Sequence, residues 1–321
     1  MVAWLPDRSV RGPERPTIRD IEPLNRIFAE AFTDRYRRDG LVGVRVPYLN
    51  PLIWRYAIED SGEGAMIWRD GDGRPAAFNM VHQSGSEGWM GPLAVRPDRQ
   101  NEGLGKAVVR AGIEWLRARG ARTIGLETMP RTVDNIGFYS RLEMIPRHLT
   151  VTLSRDIPKK PGDLGEMLSW AGTEYLKVLA ECRELSKRLS PGIDFTRELQ
   201  LTLDLQIGDT SLVRRDGHLV GFALWHSAPL AEGRPRDEVR VLKLVAQDME
   251  AFDAVIRAVQ AATLGEGLRR ISVRCQTAFG EAYTRLVGEG YRVHWTDLRM
   301  TLNQYPEPEV STGVVWSNWE I

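Results

Sequence analysis

A chain of 321 residues is long enough for about two domains. Its 43 lysines and arginines equal its 43 aspartates and glutamates, a balance that argues against a nucleic-acid platform or a binder of anionic membranes. Two distant cysteines, five scattered histidines, no secretory leader and no apolar run of bilayer length exclude a disulfide framework, a metal centre and a membrane protein, and point to the cytoplasm.

In chain order, residues 1–16 are rich in proline and arginine and are expected to be an irregular lead-in. Thr17, Ile18 and Arg19 can form a short first strand. A helical stripe of Leu24, Ile27, Phe28, Ala31 and Phe32 predicts a helix over residues 22–38, and a second covers 51–59 with Trp54 and Ile58 inward. Three strands follow, over 65–68, 75–82 and 88–95, the first two joined by the turn Asp70-Gly71-Asp72-Gly73.

The next run is the most informative: Leu93, Ala94 and Val95 end a strand, Pro97 stops it, and Gln100-Asn101-Glu102-Gly103-Leu104-Gly105-Lys106 opens a helix. Leu104, Val108, Ala111 and Trp115 share one face of that helix, and Gly120 ends it. A helix start leaves backbone N–H groups unpaired and adds partial positive charge. Glycines at 103 and 105 remove the side chains that would keep a bulky anion away, so the turn suits a phosphate or pyrophosphate. A P-loop would need glycine at Gln100 and a hydroxyl at Ala107, and a dinucleotide fingerprint would need glycine at Val108. Neither condition is met.

What remains, Gln-x-x-Gly-x-Gly after a strand ending Val-x-Pro, resembles motif A of the GNAT superfamily of N-acetyltransferases, which holds the pyrophosphate of acyl-CoA. A strand over 123–128, a helix over 133–142 and a strand over 145–153 complete the order β-α-α-β-β-β-α-β-α-β, which resembles the GNAT fold across residues 17–155. Phe138-Tyr139 matches the aromatic-tyrosine pair of the family's last helix, although Glu143-Met144 stands where the family has Gly-Phe. The resemblance implies acetyl-CoA or another acyl-CoA as co-substrate, no metal, and an amine acceptor that is a small molecule or a peptide. It places Leu93, Ala94 and Val95 along the pantetheine arm, residues Gln100 to Lys106 around the pyrophosphate, Phe138 beside the cofactor, and Tyr139 next to the sulfur as proton donor.

Acyl transfer to an amine also needs the amine neutral. An alkyl amine of pKa about 10.4 faces a handicap of nearly 5 kcal/mol at neutral pH. Candidate bases are Glu127, a carboxylate inside the apolar strand Ile124-Gly125-Leu126-Glu127-Thr128, Glu87 at the start of the preceding strand, and His82. Each could equally be an edge or solvent-facing residue. Asn135 could cap the last helix or hydrogen-bond the pantetheine.

Residues 156–163 read as a linker, after which the order repeats over 164–303: two helices, strands near 210–214, 218–226 and 238–246, a helix over 249–263, a strand over 270–275, a helix over 278–289 and a strand over 291–302. The repeat has no glycine turn. Asp248 is a good N-cap, Glu250 and Asp253 load carboxylates into the first turn, and Leu286 stands where Tyr139 should be. The chain is therefore expected to be an α/β (α+β) protein of two tandem GNAT-like domains. Each would hold a mixed, mostly antiparallel twisted sheet flanked by helices, and the second would be degenerate. In the tail, residues 304–321, Trp316 and Trp319 suggest packing on the body or docking on another chain, a homodimer being one form of that. The alternative to an enzyme is a CoA-binding or regulatory module without turnover.

Overall fold

A computed structural model describes residues 9–158 and 165–319. Residues 159–163 of the expected linker lie outside the described residues, as do residues 1–8 of the expected lead-in. The first half runs β1 (Val10–Glu14), α1 (Ile21–Arg38), α2 (Pro51–Ser61), β2 (Ala65–Asp70), β3 (Pro75–Ser84), β4 (Glu87–Val95), α3 (Leu104–Ala118), β5 (Thr123–Thr128), α4 (Val133–Ser140) and β6 (Met144–Asp156). The second half runs β7 (Glu166–Met167), α5 (Tyr175–Leu189), α6 (Thr196–Asp204), β8 (Gly208–Arg215), β9 (His218–His226), β10 (Glu238–Ala246), α7 (Met249–Gly265), β11 (Arg270–Gln276), α8 (Gly280–Gly288), β12 (Arg292–Leu302) and β13 (Val314–Ser317).

The first strand is not where alternation suggested. Thr17-Ile18-Arg19 is a 3-10 turn in which Thr17 and Asp20 cap each other: the Thr17 N–H donates to Asp20 Oδ2 at 2.8 Å, and the Thr17 hydroxyl accepts from the Arg19 N–H. A hydroxyl and a carboxylate three residues apart satisfy a helix start better than a ladder. The true first strand lies inside the expected lead-in and pairs with the outer edge of β2. An edge tolerates its Pro13, and its residues from Arg11 to Glu14 are exposed, so it has no apolar alternation to betray it. The loss of the family's glycine at Glu143 is also resolved, because Glu143 adopts φ +65°, the left-handed conformation a glycine would supply.

The thirteen strands of the described residues form one sheet in the order β1-β2-β3-β4-β5-β12-β6-β11-β10-β9-β8-β7, with β13 beside β10. Only β4–β5 and β10–β11 are parallel among the described pairs. The halves trade strands at the centre. β12 of the second half lies between β5 and β6 of the first, and β6 pairs on its other edge with β11. Helix α3 packs Val108, Val109, Ile113 and Leu116 against one face of the first half's sheet, with Tyr139 and Met300 in the same core. Helices α1 and α2 cover the other face, packing Leu24, Ile27 and Trp54 against Phe78 of β3. In the second half α7 takes the part of α3, burying Phe252, Val255, Ile256 and Val259.

Candidate active site

The site begins where two parallel strands separate. β4 pairs with β5 from Glu87–Thr123 to Met90–Leu126 and no further, while β4 continues to Val95. Leu93, Ala94 and Val95 stay tied to β3, opposite Asn79, Phe78 and Ala77, and have no strand on their other side. The chain then turns. Gln100 Nε2 donates to the Val95 carbonyl at 3.1 Å, Arg99 donates to Glu102 at 3.1 Å, and Asn101 takes φ +65°. Gln100 and Glu102, expected around the pyrophosphate, thus also brace the turn from within.

Gly103 is the N-cap of α3 with φ +84°, where a side chain would be strained; no side chain caps the helix, and its first turn holds no carboxylate. A Cβ at Gly103 would meet nothing within 4 Å, so the helix start faces open space. A Cβ at Gly105 would lie 3.5 Å from Phe138 and 3.8 Å from Val95, so that glycine keeps a slot between the strand end and α4. Leu104 and Lys106 flank this slot on the first turn of the helix.

Helix α4 brings Phe138 and Tyr139 to the same corner, their rings 5.1 Å apart. Tyr139 is buried beside α3, and its hydroxyl makes no hydrogen bond among the described residues. Burial alone pushes its pKa up to about 12. The residue at the N-cap of α4 is Thr132, whose hydroxyl instead donates to Asp39 at 2.6 Å. Asn135 lies within the helix and does not cap it, which removes one of its two expected roles.

The three candidate bases lie differently. Glu127 is clamped: its Oε1 accepts from Thr150 at 2.5 Å and from Arg299 at 2.7 Å, and its Oε2 accepts from Arg274. Burial raises its pKa, but the two guanidiniums more than offset this and hold it below the usual carboxylate range. Glu87 is buried at the far end of β4, accepting a hydrogen bond from Ser317 at 2.5 Å; burial raises it against the pull of Arg299 and Lys243. His82 has both ring nitrogens engaged, Nδ1 with Asp60 at 2.6 Å and Nε2 with the Gly91 carbonyl at 2.8 Å, so no lone pair is free for an acceptor. Arg274, Arg299 and Ser317 went unnoticed in sequence because they arrive from the second half. Their only sequence signal is that Arg299 sits in an apolar strand, as Glu127 does.

The corresponding corner of the second half is closed. β10 leaves β11 after Val241–Val273, and the gap is filled by β13, which pairs with Lys243 to Ala246 of β10 and buries Trp316. Asp248 caps α7 by accepting from the Ala251 N–H at 2.8 Å, Arg215 pairs with Asp248 and Glu250, and Leu286 fills the place of Tyr139. The tail expected to pack on the body is thus a strand. Surface cavities beside Trp170 and beside Trp115 border neither the glycine turn nor Tyr139. Among the described residues no group of three or more His, Cys, Asp or Glu is placed to hold a metal, and no helix is long and apolar enough to cross a membrane.

The model of the acetyltransferase (GNAT) family matches residues 24–144, the stretch that holds the open corner. A mycothiol acetyltransferase from Clavibacter michiganensis is 34% identical over 76 residues, 24% of this chain and 25% of that protein, so the match spans about a quarter of the relative's length. Among solved structures, a putative acetyltransferase from Pyrococcus horikoshii superposes with a TM-score of 0.68 at 18% identity, over 98% of this chain and 96% of that one. A tandem GNAT protein from the clavulanic acid biosynthesis pathway superposes with a TM-score of 0.58 at 12% identity, over 94% of this chain and all of that one. Residues 24–144 thus match the GNAT family of acetyltransferases, and the second half repeats the fold with the corresponding corner closed.

Proposed function

We propose that the chain is an acyl-CoA-dependent N-acyltransferase, with acetyl-CoA as donor, residues 17–155 as the catalytic unit and residues 164–303 as a degenerate partner. One observation carries the reading: of two equivalent corners, only the first has a glycine helix start open to solvent, an unpaired strand edge and a tyrosine behind it. The N–H groups of Gly103 to Lys106 and the dipole of α3 bind the diphosphate. The free edge of Leu93 to Val95 aligns the pantetheine arm, with Phe138 and Asn135 beside it. An amine, from a small molecule or a peptide, then attacks the thioester carbon directly.

Tyr139 serves as hydrogen-bond donor to the departing sulfur. With its pKa at about 12 and a thiol at about 8.5, complete proton transfer from the tyrosine to the released thiolate would be uphill by about 5 kcal/mol. The hydroxyl therefore stabilises the thiolate as charge develops, and the proton moves late. A buried tyrosine with no other hydrogen-bond partner among the described residues suits this part, because it gives up none of those by turning to the sulfur.

The test is calorimetric titration of acetyl-CoA into the protein and into Gly103→Glu, which places a carboxylate at the anion corner. Binding to the first and at least tenfold weaker binding to the second is expected; equal affinities remove the site. Release of CoA thiol with an amine panel distinguishes an enzyme from a binding module.

A further inference from the structure

Strand exchange sets β12 of the second half against the end of β5, and with it a carboxylate not yet given a part. Leu298 lies opposite Thr128 and Arg299 opposite Glu127, so Asp297 falls just past the end of β5, beyond the last β4–β5 pair at Met90 and Leu126. Alternation fixes its side. Leu126 and Met300 share a core with Tyr139, whereas Glu127, Arg299 and Asp297 lie on the opposite face, linked through Arg274. Tyr139 and Asp297 therefore flank the parted strands from two sides.

Each carboxylate oxygen of Asp297 accepts one hydrogen bond and keeps acceptor capacity for a proton. Its Oδ2 accepts from Arg274 at 3.2 Å and its Oδ1 from Trp295 Nε1 at 3.1 Å. From α1, Tyr36 faces the same place, its ring 6.2 Å from that of Trp295. Glu127 is the second carboxylate near it. Burial raises Asp297 above the usual carboxylate range, with Arg274 opposing and Glu127 adding to the rise. Of the two carboxylates that Arg274 bonds, Glu127 is locked as an anion between two guanidiniums, and Asp297 is the readier proton acceptor.

We propose that Asp297, delivered from the second half by the exchanged strand, is the general base that takes the proton from the acceptor ammonium. This rests on the acyltransferase reading and supplies the residue that reading lacks. Asp297 removes one N–H proton; the freed lone pair forms the N–C bond at the thioester carbon; the C–S bond breaks with its electron pair on sulfur. The sulfur is protonated through the Tyr139 hydroxyl, which is replenished by the second nitrogen proton. The proton held by Asp297 then leaves to solvent, one per turnover.

The experiment compares the full-length protein with Asp297→Asn and Asp297→Glu. Acetyl-CoA affinity is measured by calorimetry, and CoA release is followed with two probe amines: ethanolamine, cationic at neutral pH, and hydroxylamine, neutral there. Asp297→Asn should keep the acetyl-CoA affinity, lose about 100-fold in kcat/KM for ethanolamine together with the acidic limb of its pH profile, and change little with hydroxylamine. Asp297→Glu should recover part of the loss, and it carries the comparison if Asp297→Asn does not fold. With acetyl-CoA bound normally, an unchanged ethanolamine rate, an equal loss for both amines, or no turnover of either by the unaltered protein would overturn the proposal. Failure of the unaltered protein to bind acetyl-CoA would instead overturn the acyltransferase reading itself.

Discussion

Replacing Gly105 by alanine should separate folding from function. The new Cβ would stand 3.5 Å from Phe138 and 3.8 Å from Val95, ordinary van der Waals distances, so nothing need move. Gly105 is the second residue of α3 and has no positive φ, so alanine fits its backbone. Alanine is better than glycine in a helix by about 0.5–1 kcal/mol, and the low end applies in the first turn. The variant should therefore melt slightly higher than the parent, by about 1–2 °C for a chain of this size. The same methyl narrows the slot between strand end and α4 and keeps the diphosphate off the backbone N–H groups. One charge-assisted hydrogen bond lost is worth about 1.5–3 kcal/mol, or about 10- to 150-fold in affinity. Differential scanning calorimetry gives the first number and titration calorimetry with acetyl-CoA the second. Unchanged acetyl-CoA affinity in a folded Gly105→Ala protein would refute the placement of the cofactor between Val95 and Phe138.

Other perturbations follow from the same geometry. Tyr139→Phe should bind acetyl-CoA as the parent does and lose about 100-fold or more in turnover, read by thiol release. It should also change alkaline stability. The folded pKa of about 12 exceeds the ordinary value of 10.0, so stability present below pH 10 is lost as pH rises to 12, by about 3 kcal/mol. Denaturant melts across that window should show the loss in the parent beyond whatever Tyr139→Phe shows. Glu143→Gly relieves a non-glycine residue at φ +65° and should stabilise by about 1 kcal/mol in urea titrations; a loss of stability would mean that the side chain contributes more than the strain costs. Glu198, buried beside Lys243 with its pKa raised to about 7 mainly by burial, contributes stability that is full below pH 4.5 and is lost as pH rises through 7. Glu198→Gln should flatten that dependence, and an unchanged slope would show that Glu198 is ionised throughout.

The elements legible in sequence were those whose cause is local. The stripe on α3 and its glycine start, the apolar run of β9 and the partial alternation of β10 each name their own structure, and Asp248 caps α7 as its spacing predicts. Elements whose cause is a partner were not legible. β1 is a mostly exposed edge strand, specified by the open edge of β2 rather than by its own pattern. β13 is apolar on both faces and too short to distinguish from a packed tail until β10 offers its edge. For the site, the glycine turn and Tyr139 could be located because both lie in one continuous stretch of chain. Glu127 could be seen as an oddity in an apolar strand, yet its meaning depends on Arg274 and Arg299, 147 and 172 residues away. No periodicity encodes which half a final strand joins.

The exchange of strands gives a physical reason for keeping a second half whose own corner is closed. Without β12, the β5 edge beyond the β4 pairing would be bare, and Glu127 would lose Arg299, leaving a buried carboxylate with one guanidinium fewer. Taking one of its two charged partners from a buried carboxylate is destabilising, so the first half's sheet and its charge balance both depend on the second. The dependence runs the other way through β6, which pairs with the full length of β11. The tail completes the arrangement by filling the gap between β10 and β11 with Val314 to Ser317 while sending Ser317 to Glu87 in the first half. One gap is sealed by the chain's own strand and the other is left open, and the residues that border the open one come from both halves. If Asp297 is the base proposed above, the second half is a wall of the site, supplying that carboxylate together with Arg274 and Arg299.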